Sequence, residues 1–385
     1  MPDKGAVYLK QKVLFTASTY SHIRNFHLPY LDALRGMGYE THVACAGPPE
    51  AAPAVDRLFA LPFRKSMRAP DNFRAAGMLR RQIMEENYAL VVAHTSLAAF
   101  FTRLAMKGMK SRPKSVNMVH GYLFDDATPF LKKRLLLDAE RLTAPETDLL
   151  LTMNAWDTRT AEACRLGTRV AKVPGVGFDA ARLDAATAAG GAALRARYGI
   201  PPDAFLLLYA AEFSARKSQR VVIEALRYLP EHVVLALPGQ GALLEECKAL
   251  AERLGLGERV IFPGQASDMP AWYRAADAAV SASRSEGLPF NIMEAMYCAL
   301  PVAASAVKGH ADLIEDGVSG LLYPYGNAAA CADRLRRLLD GAPGLGEAAR
   351  AAAAPYALAE VKDAVLAQYA SLLGEAEREP APAYR

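Results

Sequence analysis

The sequence predicts an α/β protein made of two doubly wound domains in tandem, with a cleft between them. Three observations predict it: apolar runs alternate with helical stretches along nearly the whole chain, the alternation restarts near residue 205, and 385 residues of 52% hydrophobic content suffice for two cores. Doubly wound sheets bind ligands at the carboxyl ends of their strands, so two such sheets are expected to leave a binding cleft between those ends.

The first half of the chain predicts six strands separated by helices. Short apolar runs predict strands at Val13–Ala17, Thr41–Ala46, Ala89–Ala93, Ser115–Val119, Leu149–Thr152 and Arg169–Val173. Helical stretches between them predict helices that include Phe26–Arg35, Asn72–Glu86, Leu97–Lys107 and Phe130–Leu142. Parallel strands need such crossover segments, so this order indicates a parallel sheet covered on both faces.

The second half repeats the pattern after a glycine-rich linker at Pro174–Gly191 and a short helix near Leu194–Tyr198. Its strands are predicted at Phe205–Ala210, Val233–Leu237, Arg259–Phe262, Ala278–Ser281, Pro301–Ala304 and Gly320–Tyr323. We therefore expect a first domain at residues 1–178 and a second at 179–355. A helix in residues 356–374 is expected to pack back toward the first domain, and residues 375–385 are expected to form a disordered tail.

Composition argues against several classes of protein. No apolar run reaches the roughly 18 to 20 residues that a membrane span requires, and the segment Met1–Lys12 is polar and charged, unlike a secretory signal. The five cysteines are scattered and none forms a CxxC pair, which argues against a disulfide framework and against a structural zinc site. We therefore expect a cytoplasmic protein with reduced thiols.

Charge is distributed unevenly. Residues up to Phe178 include 25 Lys and Arg against 16 Asp and Glu, a net +9, whereas the remainder has 20 against 25, a net −5. The clustered basic residues are Arg64, Lys65, Arg68, Arg74, Arg80 and Arg81, then Lys107, Lys110, Arg112 and Lys114, then Lys132, Lys133 and Arg134. Such clusters attract an anionic membrane surface or a phosphorylated acceptor; solvated helix faces are the alternative. Nucleic acid is not an expected partner, because the clusters lack interleaved aromatics and a nucleic-acid-binding motif.

Two glutamates in the second half mark the strongest candidate site. The segment Glu-Gly-Leu-Pro-Phe-Asn-Ile-Met-Glu runs from Glu286 to Glu294. Pro289 suits the first position of a helix, which predicts Glu286 on the preceding loop and Glu294 inside the helix near its start. The N–H groups and the dipole of a helix start favour a diphosphate. Carboxylates beside such a site suit sugar and ribose hydroxyls, which donate hydrogen bonds to them.

This segment resembles the E-x7-E motif of glycosyltransferase family 4, and the similarity extends through Leu300-Pro301-Val302 and residues 317–322. The resemblance spans roughly residues 13–323. It implies the GT-B fold, in which two Rossmann-like domains bind the acceptor and the nucleotide-sugar donor on either side of a cleft. It also implies that Glu286 contacts the transferred sugar and that Glu294 holds the ribose. The remaining donor-binding residues of the motif are Gly287, Leu288, Pro289, Phe290 and Asn291.

Two adjacent cations, Arg216 and Lys217, follow the first predicted strand of the second domain. Cations there can neutralise the charge that grows on a departing diphosphate. In the family a lysine matching Lys217 has this role, and many members carry an arginine where this chain has Glu212. The Glu-Phe-Ser-x-Arg-Lys string resembles the capsule and exopolysaccharide subgroup, in which we expect Arg216 to supply the second charge. A solvated Arg-Lys pair at a helix start is the alternative.

Histidines at strand ends mark candidate sites in the first domain. His120 follows a predicted strand and matches the family's cleft histidine, which implies contact with the donor sugar or stabilisation of positive charge at its anomeric carbon. His94 also ends a strand and is a weaker candidate for the acceptor site. A structural role is the alternative for both.

The loop after the first strand supplies the other acceptor candidates, Ser21, His22 and Asn25. Many family members have a Gly-Gly pair here, which this chain lacks, so we do not expect direct phosphate contact. The chain resembles instead the Ser-His-x-x-x-Phe-His-x-Pro-Tyr version of the polysaccharide subgroup. A purely structural role is the alternative for these three residues.

The residues predict a mechanism without metal or cofactor. There is no D-x-D signature, and the seven histidines are dispersed along the chain. Charge on the leaving diphosphate would be met by the two cations and the helix start. The family implies a retaining hexosyl transfer from a nucleotide sugar, expected to be a UDP-sugar, to a glycan or polyprenyl-linked acceptor. Trp272, Tyr273 and Asp277 are expected to serve packing and capping.

Other functions remain open at this point. A nucleotide-sugar 2-epimerase has the same architecture, but its additional carboxylates and histidine are not found here. A non-catalytic nucleotide-sugar-binding protein would have no need to keep Glu286, Glu294, Lys217 and His120 together. A nicotinamide oxidoreductase is disfavoured, because no G-x-G-x-x-G follows the first strand of either domain.

Overall fold

A computed structural model of the chain describes residues 10–47 and 52–374. They form two compact units, one containing the chain up to Val176 together with the segment that begins at Val361, the other containing Gly177–Glu360. The expected disordered tail, residues 375–385, lies outside the described residues. Within the described part, no helix combines the length and the apolar composition that crossing a bilayer requires.

The first unit is built on a parallel sheet of seven strands in the order β3-β2-β1-β4-β5-β6-β7. The strands are β1 (Lys12–Thr19), β2 (Glu40–Ala46), β3 (Arg57–Ala60), β4 (Leu90–His94), β5 (Lys114–Met118), β6 (Leu149–Thr152) and β7 (Arg169–Lys172). Every residue of β4 is buried, including its last, His94. Apolar strands without alternation are typical of parallel sheets with helices on both faces.

Helices connect these strands and cover the sheet. They are α1 (Tyr20–Phe26), α2 (Leu28–Gly36), α3 (Pro70–Glu86), α4 (Ser96–Met106), α5 (Phe130–Thr143) and α6 (Ala155–Cys164). On one face the core is formed by Leu14, Leu79, Ile83, Val91 and Phe101, all at most 3% exposed.

The second unit contains a parallel sheet of six strands in the order β10-β9-β8-β11-β12-β13. The strands are β8 (Phe205–Leu208), β9 (Val233–Ala236), β10 (Val260–Ile261), β11 (Ala278–Ser281), β12 (Val302–Ser305) and β13 (Leu321–Tyr323). The helices that follow α6 are α7 (Ala180–Asp184), α8 (Ala188–Arg197), α9 (Gln219–Leu226), α10 (Leu244–Arg253), α11 (Met269–Ala275), α12 (Phe290–Tyr297), α13 (His310–Leu313), α14 (Ala328–Leu339), α15 (Leu345–Ala353) and α16 (Leu358–Leu373). The predicted α/β fold of two doubly wound parallel sheets is confirmed.

Strand order reverses once in each sheet, which marks where ligands bind in doubly wound folds. In the first sheet the chain leaves β1 in one direction to β2 and returns on its other side at β4. In the second sheet the same reversal lies between β8 and β11. The loops after these strands and after their neighbours β5 and β12 therefore carry the candidate site residues.

Three local predictions are wrong, each for a physical reason. The predicted helix Phe26–Arg35 starts two residues too early: it corresponds to α2, which begins at Leu28 with Pro29 in its first turn, where a missing N–H is tolerated, and Phe26 ends α1. Strand β3 was missed because only two of its four residues are even partly buried.

The third error lies in the predicted linker, which contains the whole of α7 and whose last residues belong to α8. Gly191 is needed there, since a Cβ atom would lie 2.7 Å from the backbone carbonyl of Arg274 on α11. The glycine therefore marks close packing of two helices rather than a flexible connection.

Candidate active site

Three neighbouring strands of the second sheet present the chemically active side chains of that unit. Lys217 follows β8, Glu286 follows β11, and His310 follows β12 as the first residue of α13. Because these strands are parallel and adjacent, the loops at their carboxyl ends meet at one edge of the sheet. Two of the three, Lys217 and Glu286, were predicted; His310 was not.

Glu286 is bound by both predicted cations. Lys217 Nζ lies 2.5 Å from Glu286 Oε1, and Arg216 Nη1 lies 2.8 Å from Glu286 Oε2. Burial raises the pKa of Glu286, but attraction by Lys217 and Arg216 outweighs it and holds the pKa at about 2. Two cations against one carboxylate leave the group with a net positive charge, which favours an anionic ligand.

Hydrogen bonds between the loops fix this cluster. The Tyr209 hydroxyl donates to the backbone carbonyl of Lys217 at 2.5 Å and lies 3.1 Å from Ser283 Oγ in the loop after β11. The backbone N–H of Arg284 donates to the carbonyl of Arg216 at 2.7 Å. The two loops are therefore held at a fixed separation before any ligand binds, as preorganised electrostatic stabilisation requires.

The loop after β12 closes on Glu286 through a glycine. Gly309 has φ of +83°, and a Cβ atom there would lie 2.8 Å from the carbonyl oxygen of Gly287 and 2.9 Å from Glu286 Cβ. Next to it, His310 Nδ1 lies 2.8 Å from the Ser305 carbonyl, which can only accept, so the N–H is on Nδ1. Burial lowers the pKa of His310 to about 4, and its Nε2 is buried with no partner among the described residues.

Helix α12 begins directly beyond this loop. Its first residue is Phe290, so Pro289 precedes the helix instead of being its first residue as predicted. Of the predicted donor-binding residues between the two glutamates, Gly287, Leu288 and Pro289 are buried, and Phe290 and Asn291 are partly exposed. The first N–H groups of an α-helix lack intrahelical acceptors, and α12 has no acidic residue in its first turn to oppose an anion.

Glu294 lies in the second turn of α12 and is anchored by Tyr273, which is buried as its predicted packing role requires and also has a polar role. The Tyr273 hydroxyl donates to Glu294 Oε2 at 2.8 Å. Burial raises the pKa of Glu294, and the Tyr273 hydrogen bond works in the opposite direction. Tyr273 is thus more than a packing residue, since it holds one oxygen of the carboxylate and leaves the other to a ligand.

The prediction of packing and capping holds only in part for its neighbours. Trp272 is 2% exposed and packs as expected. Asp277 does not cap a helix; it accepts hydrogen bonds from Arg195 and from the backbone N–H of Leu206. The cap of α11 is Asp268, which accepts from the backbone N–H of Ala271.

Four of the seven histidines lie close together in the first unit. The histidines are therefore dispersed along the chain, as described, but not in the folded structure. We call His22, His27, His94 and His120 the four-histidine cluster; one nitrogen of each lies within 4.8 Å of the others. His22 is in α1, His27 separates α1 from α2, His94 ends β4, and His120 comes two residues after β5. The cluster therefore sits at the carboxyl ends of the adjacent strands β1, β4 and β5.

The backbone beside His94 is held in an unusual conformation. Thr95 has φ of +62°, which is unfavourable for a β-branched residue. Its Oγ1 accepts from the backbone N–H of Ser18 at 3.1 Å and lies 2.6 Å from Ser18 Oγ, which ties the end of β1 to the loop after β4. Such strain is retained where the surrounding structure requires one exact side-chain position.

The remaining acceptor candidates differ in exposure. Ser21 and Asn25 are exposed on α1, and Ser21 Oγ lies 3.0 Å from Thr19 Oγ1. His22 is partly buried, and His94 is fully buried with its ring stacked on His27. Ser21 and Asn25 thus have the accessibility that contact with an acceptor needs, whereas the ring of His94 does not.

Sequence reasoning missed Tyr209, Tyr273, His310 and His27. Two of them have a local signal in the sequence. His27 lies near the start of a predicted helix, and His310 follows a glycine after an apolar strand. The two tyrosines carry none, because each acts on a loop that is far away in sequence.

Comparison with known proteins assigns both halves of the chain to glycosyltransferase families. A model described as glycosyl transferases group 1 matches residues 192–355, and one described as Glycosyltransferase Family 4 matches residues 30–174. The chain is 33% identical over 335 residues to the putative glycosyltransferase EpsD of Bacillus subtilis, a match that covers 86% of this chain and 88% of that protein.

Solved structures show the same fold. HepE of Anabaena, solved in complex with UDP and glucose, has a TM-score of 0.77 at 20% identity, covering 94% of this chain and 100% of that one. Sucrose-phosphate synthase of Thermosynechococcus elongatus has a TM-score of 0.79 at 20% identity, covering 95% and 100%. The predicted resemblance is confirmed.

Proposed function

The chain belongs to glycosyltransferase family 4, and from that premise we propose that it transfers a hexose from a UDP-sugar with retention of the anomeric configuration. The acceptor is a hydroxyl group of a glycan or a polyprenyl-linked glycan, and the product contributes to a surface polysaccharide. The capsule and exopolysaccharide type of the Glu212–Lys217 string supports the polysaccharide role.

One observation carries this proposal: Glu286, on the loop that precedes α12, is held between Lys217 and Arg216, on the loop that precedes α9. Two buried polar atoms in the same region, Ser214 Oγ and His310 Nε2, have no hydrogen-bond partner among the described residues. Unsatisfied buried polar atoms are costly, so their presence around a net positive cluster supports a ligand rich in hydroxyl and phosphate oxygens.

The side chains divide the donor between them. Lys217 and Arg216 stay paired with Glu286 and use their remaining N–H groups to bind the diphosphate as negative charge develops on the leaving group, and the start of α12 adds its dipole. Glu286 accepts hydrogen bonds from hydroxyls of the transferred sugar. Glu294 accepts from the ribose through the oxygen that Tyr273 leaves available. His120, in the first unit, contacts the donor sugar, as the family resemblance implies.

A retaining transfer can proceed by double displacement or by attack of the acceptor on the face from which the leaving group departs, and the carboxylates favour the second route. A double displacement needs a carboxylate that can attack the anomeric carbon, but Glu286 is bound by two cations and Glu294 is bound by Tyr273. The remaining base is the leaving phosphate oxygen. It takes the proton of the acceptor hydroxyl on the same face from which it departs, while the new glycosidic bond forms and the old one breaks.

The donor class is supported by HepE of Anabaena, a structure of the same fold solved with UDP and glucose. Mg²⁺ or Mn²⁺ at the diphosphate is not required in this mechanism, because Lys217 and Arg216 provide the positive charge that a metal provides elsewhere. Protein freed of divalent ions should transfer sugar at the same rate before and after addition of Mg²⁺ or Mn²⁺.

A panel of nucleotide sugars tests the donor assignment. UDP-sugars should raise the melting temperature of the protein more than the corresponding GDP- and ADP-sugars. A transfer assay with the best donor and polyprenyl-diphosphate glycans, followed by NMR of the anomeric proton, reports both the acceptor class and the stereochemistry. An inverted product would contradict the mechanism, and preference for another base would contradict the donor assignment.

Two alternatives are separated by what happens without an acceptor. A 2-epimerase converts the donor sugar into its epimer in the absence of acceptor, whereas a transferase does not. A binding protein shows heat of binding in calorimetry but no turnover with any acceptor. Turnover is favoured because four charged groups that would bind the donor lie at one edge of the second sheet: Glu286, Glu294, Lys217 and Arg216.

An anionic membrane surface at the inner face of the membrane is the further partner we propose, and helix α5 supports it. Phe130, Leu131 and Leu135 of α5 and Leu123 of the preceding loop form what we call the α5 apolar patch; they are 59% to 81% exposed. Exposed Lys132 and Arg134 lie among them. Apolar side chains beside cations are typical of helices that lie in the interface of an anionic bilayer, where a lipid-linked acceptor would be found.

A further inference from the structure

The four-histidine cluster contains more ring nitrogens than it can satisfy by itself. Its closest side-chain contact joins His94 Nδ1 and His120 Nε2 at 3.4 Å. The Nε2 atoms of His22, His27 and His94 are buried and have no hydrogen-bond partner within residues 10–47 and 52–374. A buried unsatisfied polar atom is costly, so three of them in one cluster indicate that a shared partner satisfies them.

The rings are packed so that they must be neutral together. The rings of His27 and His94 stack with centroids 3.6 Å apart and planes inclined by 24°, and His120 packs edge-on against His22 with centroids 4.7 Å apart. Two imidazolium ions could not stack at that distance. All four rings are partly or fully buried, which disfavours the charged form. Each ring therefore offers a lone pair at neutral pH.

The distances agree with the dimensions of a metal site. Zn–N bonds of about 2.0–2.1 Å in a tetrahedron place ligand nitrogens about 3.4 Å apart. One nitrogen of each ring lies within 4.8 Å of the others, so binding one ion requires each nitrogen to move inward by about 1 Å or less. The strained Thr95, held by Ser18, fixes the position from which the His94 side chain projects.

We propose that the four-histidine cluster binds one divalent transition-metal ion of the zinc class, with one nitrogen from each of His22, His27, His94 and His120. The donor set decides the class. Four imidazoles suit Zn²⁺ and its neighbours, whereas Mg²⁺, Ca²⁺ and Mn²⁺ prefer oxygen, and no carboxylate belongs to the group.

This site goes beyond the proposed function and differs from a metal at the diphosphate. It lies on the first unit, whereas the cations assigned to the diphosphate lie on the second. Its role is to hold the ring of His120, which is only partly buried, in a fixed orientation. The earlier expectation that the protein needs no metal is therefore restricted to the diphosphate.

Metal content of the purified full-length chain tests the proposal directly. The protein is stripped with a chelator, titrated with Zn²⁺ against a chromophoric competitor, and then loaded with Co²⁺. We expect about one ion per chain and the intense visible absorption of tetrahedral Co²⁺ with nitrogen ligands. The His27→Gln, His94→Gln double variant should lose both signals. His232→Gln, at an exposed histidine outside the cluster, should keep both.

A second variant guards against misfolding. His120→Gln removes a ligand that is only partly buried, and we expect it to weaken Zn²⁺ binding at least about 100-fold with an unchanged circular dichroism spectrum. If stripped wild-type protein bound Zn²⁺ no more tightly than either folded variant, the proposal would be overturned.

Failure of the proposed function would look different. A protein that binds one Zn²⁺ per chain but transfers no sugar from any donor retains the metal site and contradicts only the transferase proposal. Full transfer activity in a chain that binds no Zn²⁺ contradicts only the metal site.

Discussion

The ammonium group of Lys217 lies 2.5 Å from Glu286 Oε1, on loops that follow two adjacent strands of one sheet. Lys217 is nearly buried, so little water screens the pair. Arg216 binds the other carboxylate oxygen from a half-exposed position. The cations thus store a net positive charge, and the N–H groups that they do not use on Glu286 can bind phosphate oxygens when the donor binds.

Replacement of Lys217 by alanine should lower kcat at least tenfold, and removal of a preorganised charge of this kind costs on the order of 10²-fold or more. The loss should appear mainly in kcat, because charge on the diphosphate grows as the sugar departs. Arg220→Ala, on the exposed side of the following helix, is the matched control and should retain activity. Unchanged kcat in Lys217→Ala would remove the lysine from the mechanism.

Acid should weaken the contribution of Glu286 to stability within a definite pH window. Its folded-state pKa of about 2 lies below the ordinary value of 4.5, so the stabilisation is complete above pH 4.5 and is lost as the pH falls toward 2. The loss is on the order of 3 kcal/mol at most. Urea unfolding from pH 6 to pH 2 measures it.

The comparison that isolates this residue uses Glu286→Gln, with Glu245→Gln at an exposed site as control. The difference in unfolding free energy between wild type and Glu286→Gln should shrink as the pH falls from 4.5 to 2, whereas the Glu245→Gln difference should stay near zero. A Glu286→Gln difference that stays constant across this window would show that the carboxylate is not stabilised by its cations.

Tyr273 should affect donor binding through Glu294. Tyr273→Phe removes the hydroxyl that donates a hydrogen bond to Glu294. Burial already disfavours the ionised form of Glu294, so its pKa should rise further, and its carboxylate loses the contact that fixes its orientation. We expect KM for the UDP-sugar to rise about three- to tenfold, which corresponds to one hydrogen bond, with a smaller change in kcat. Glu294→Ala should lower activity at least tenfold.

The control for this pair is Tyr297→Phe, on the same helix as Glu294, whose hydroxyl donates to Asp184 at an exposed position. It should leave KM unchanged. Calorimetric titration with UDP separates binding from turnover, and equal UDP affinity in wild type and Tyr273→Phe would contradict the ribose assignment of Glu294.

The extent to which the sequence predicts this molecule depends on the range of the interaction. The strand Leu90–His94 and the helix that contains Glu294 could be predicted because apolar period and helix start are local signals. The pairing of Lys217 with Glu286 could be predicted only through the family resemblance. The Tyr273 to Glu294 bond and the meeting of His27 with His94 depend on strand order and helix packing, which no local pattern encodes.

Gly309 should be needed for its lack of a side chain as well as for its backbone conformation. Gly309 and Gly317 have φ of +83° and +80°, but only at Gly309 would a Cβ atom meet neighbours, the Gly287 carbonyl and Glu286. Alanine at Gly317 bears the cost of a positive φ, about 1 kcal/mol, whereas Gly309 combines its positive φ with ψ of −47°, a conformation near the strained γ-turn that costs a side chain at least as much. Gly309→Ala should lose a further 1–3 kcal/mol, roughly, through the collision.

Thermal unfolding and steady-state kinetics of both variants check this. Because the loop that carries Glu286 must shift in Gly309→Ala, its kcat should fall, whereas Gly317→Ala should keep wild-type kcat with a modestly lower melting temperature. Equal effects of the two variants would mean that the loop after β12 does not position Glu286.

Membrane binding should depend on the α5 apolar patch and on salt. Replacing Phe130, Leu131 and Leu135 by serine removes the side chains that would enter the interface, so we expect less of the triple variant to sediment with anionic liposomes. Met84→Ser, at a 69% exposed site on α3, is the control and should sediment as the wild type does. Lys132 and Arg134 add an electrostatic contribution, so binding of the wild-type protein to liposomes should weaken as the salt concentration is raised and should be small on neutral liposomes.

Activity on a soluble glycan acceptor should be retained in the triple variant, because the patch affects binding to the membrane rather than the chemical step. If the triple variant bound anionic liposomes as well as wild type, the α5 apolar patch would not be the membrane surface.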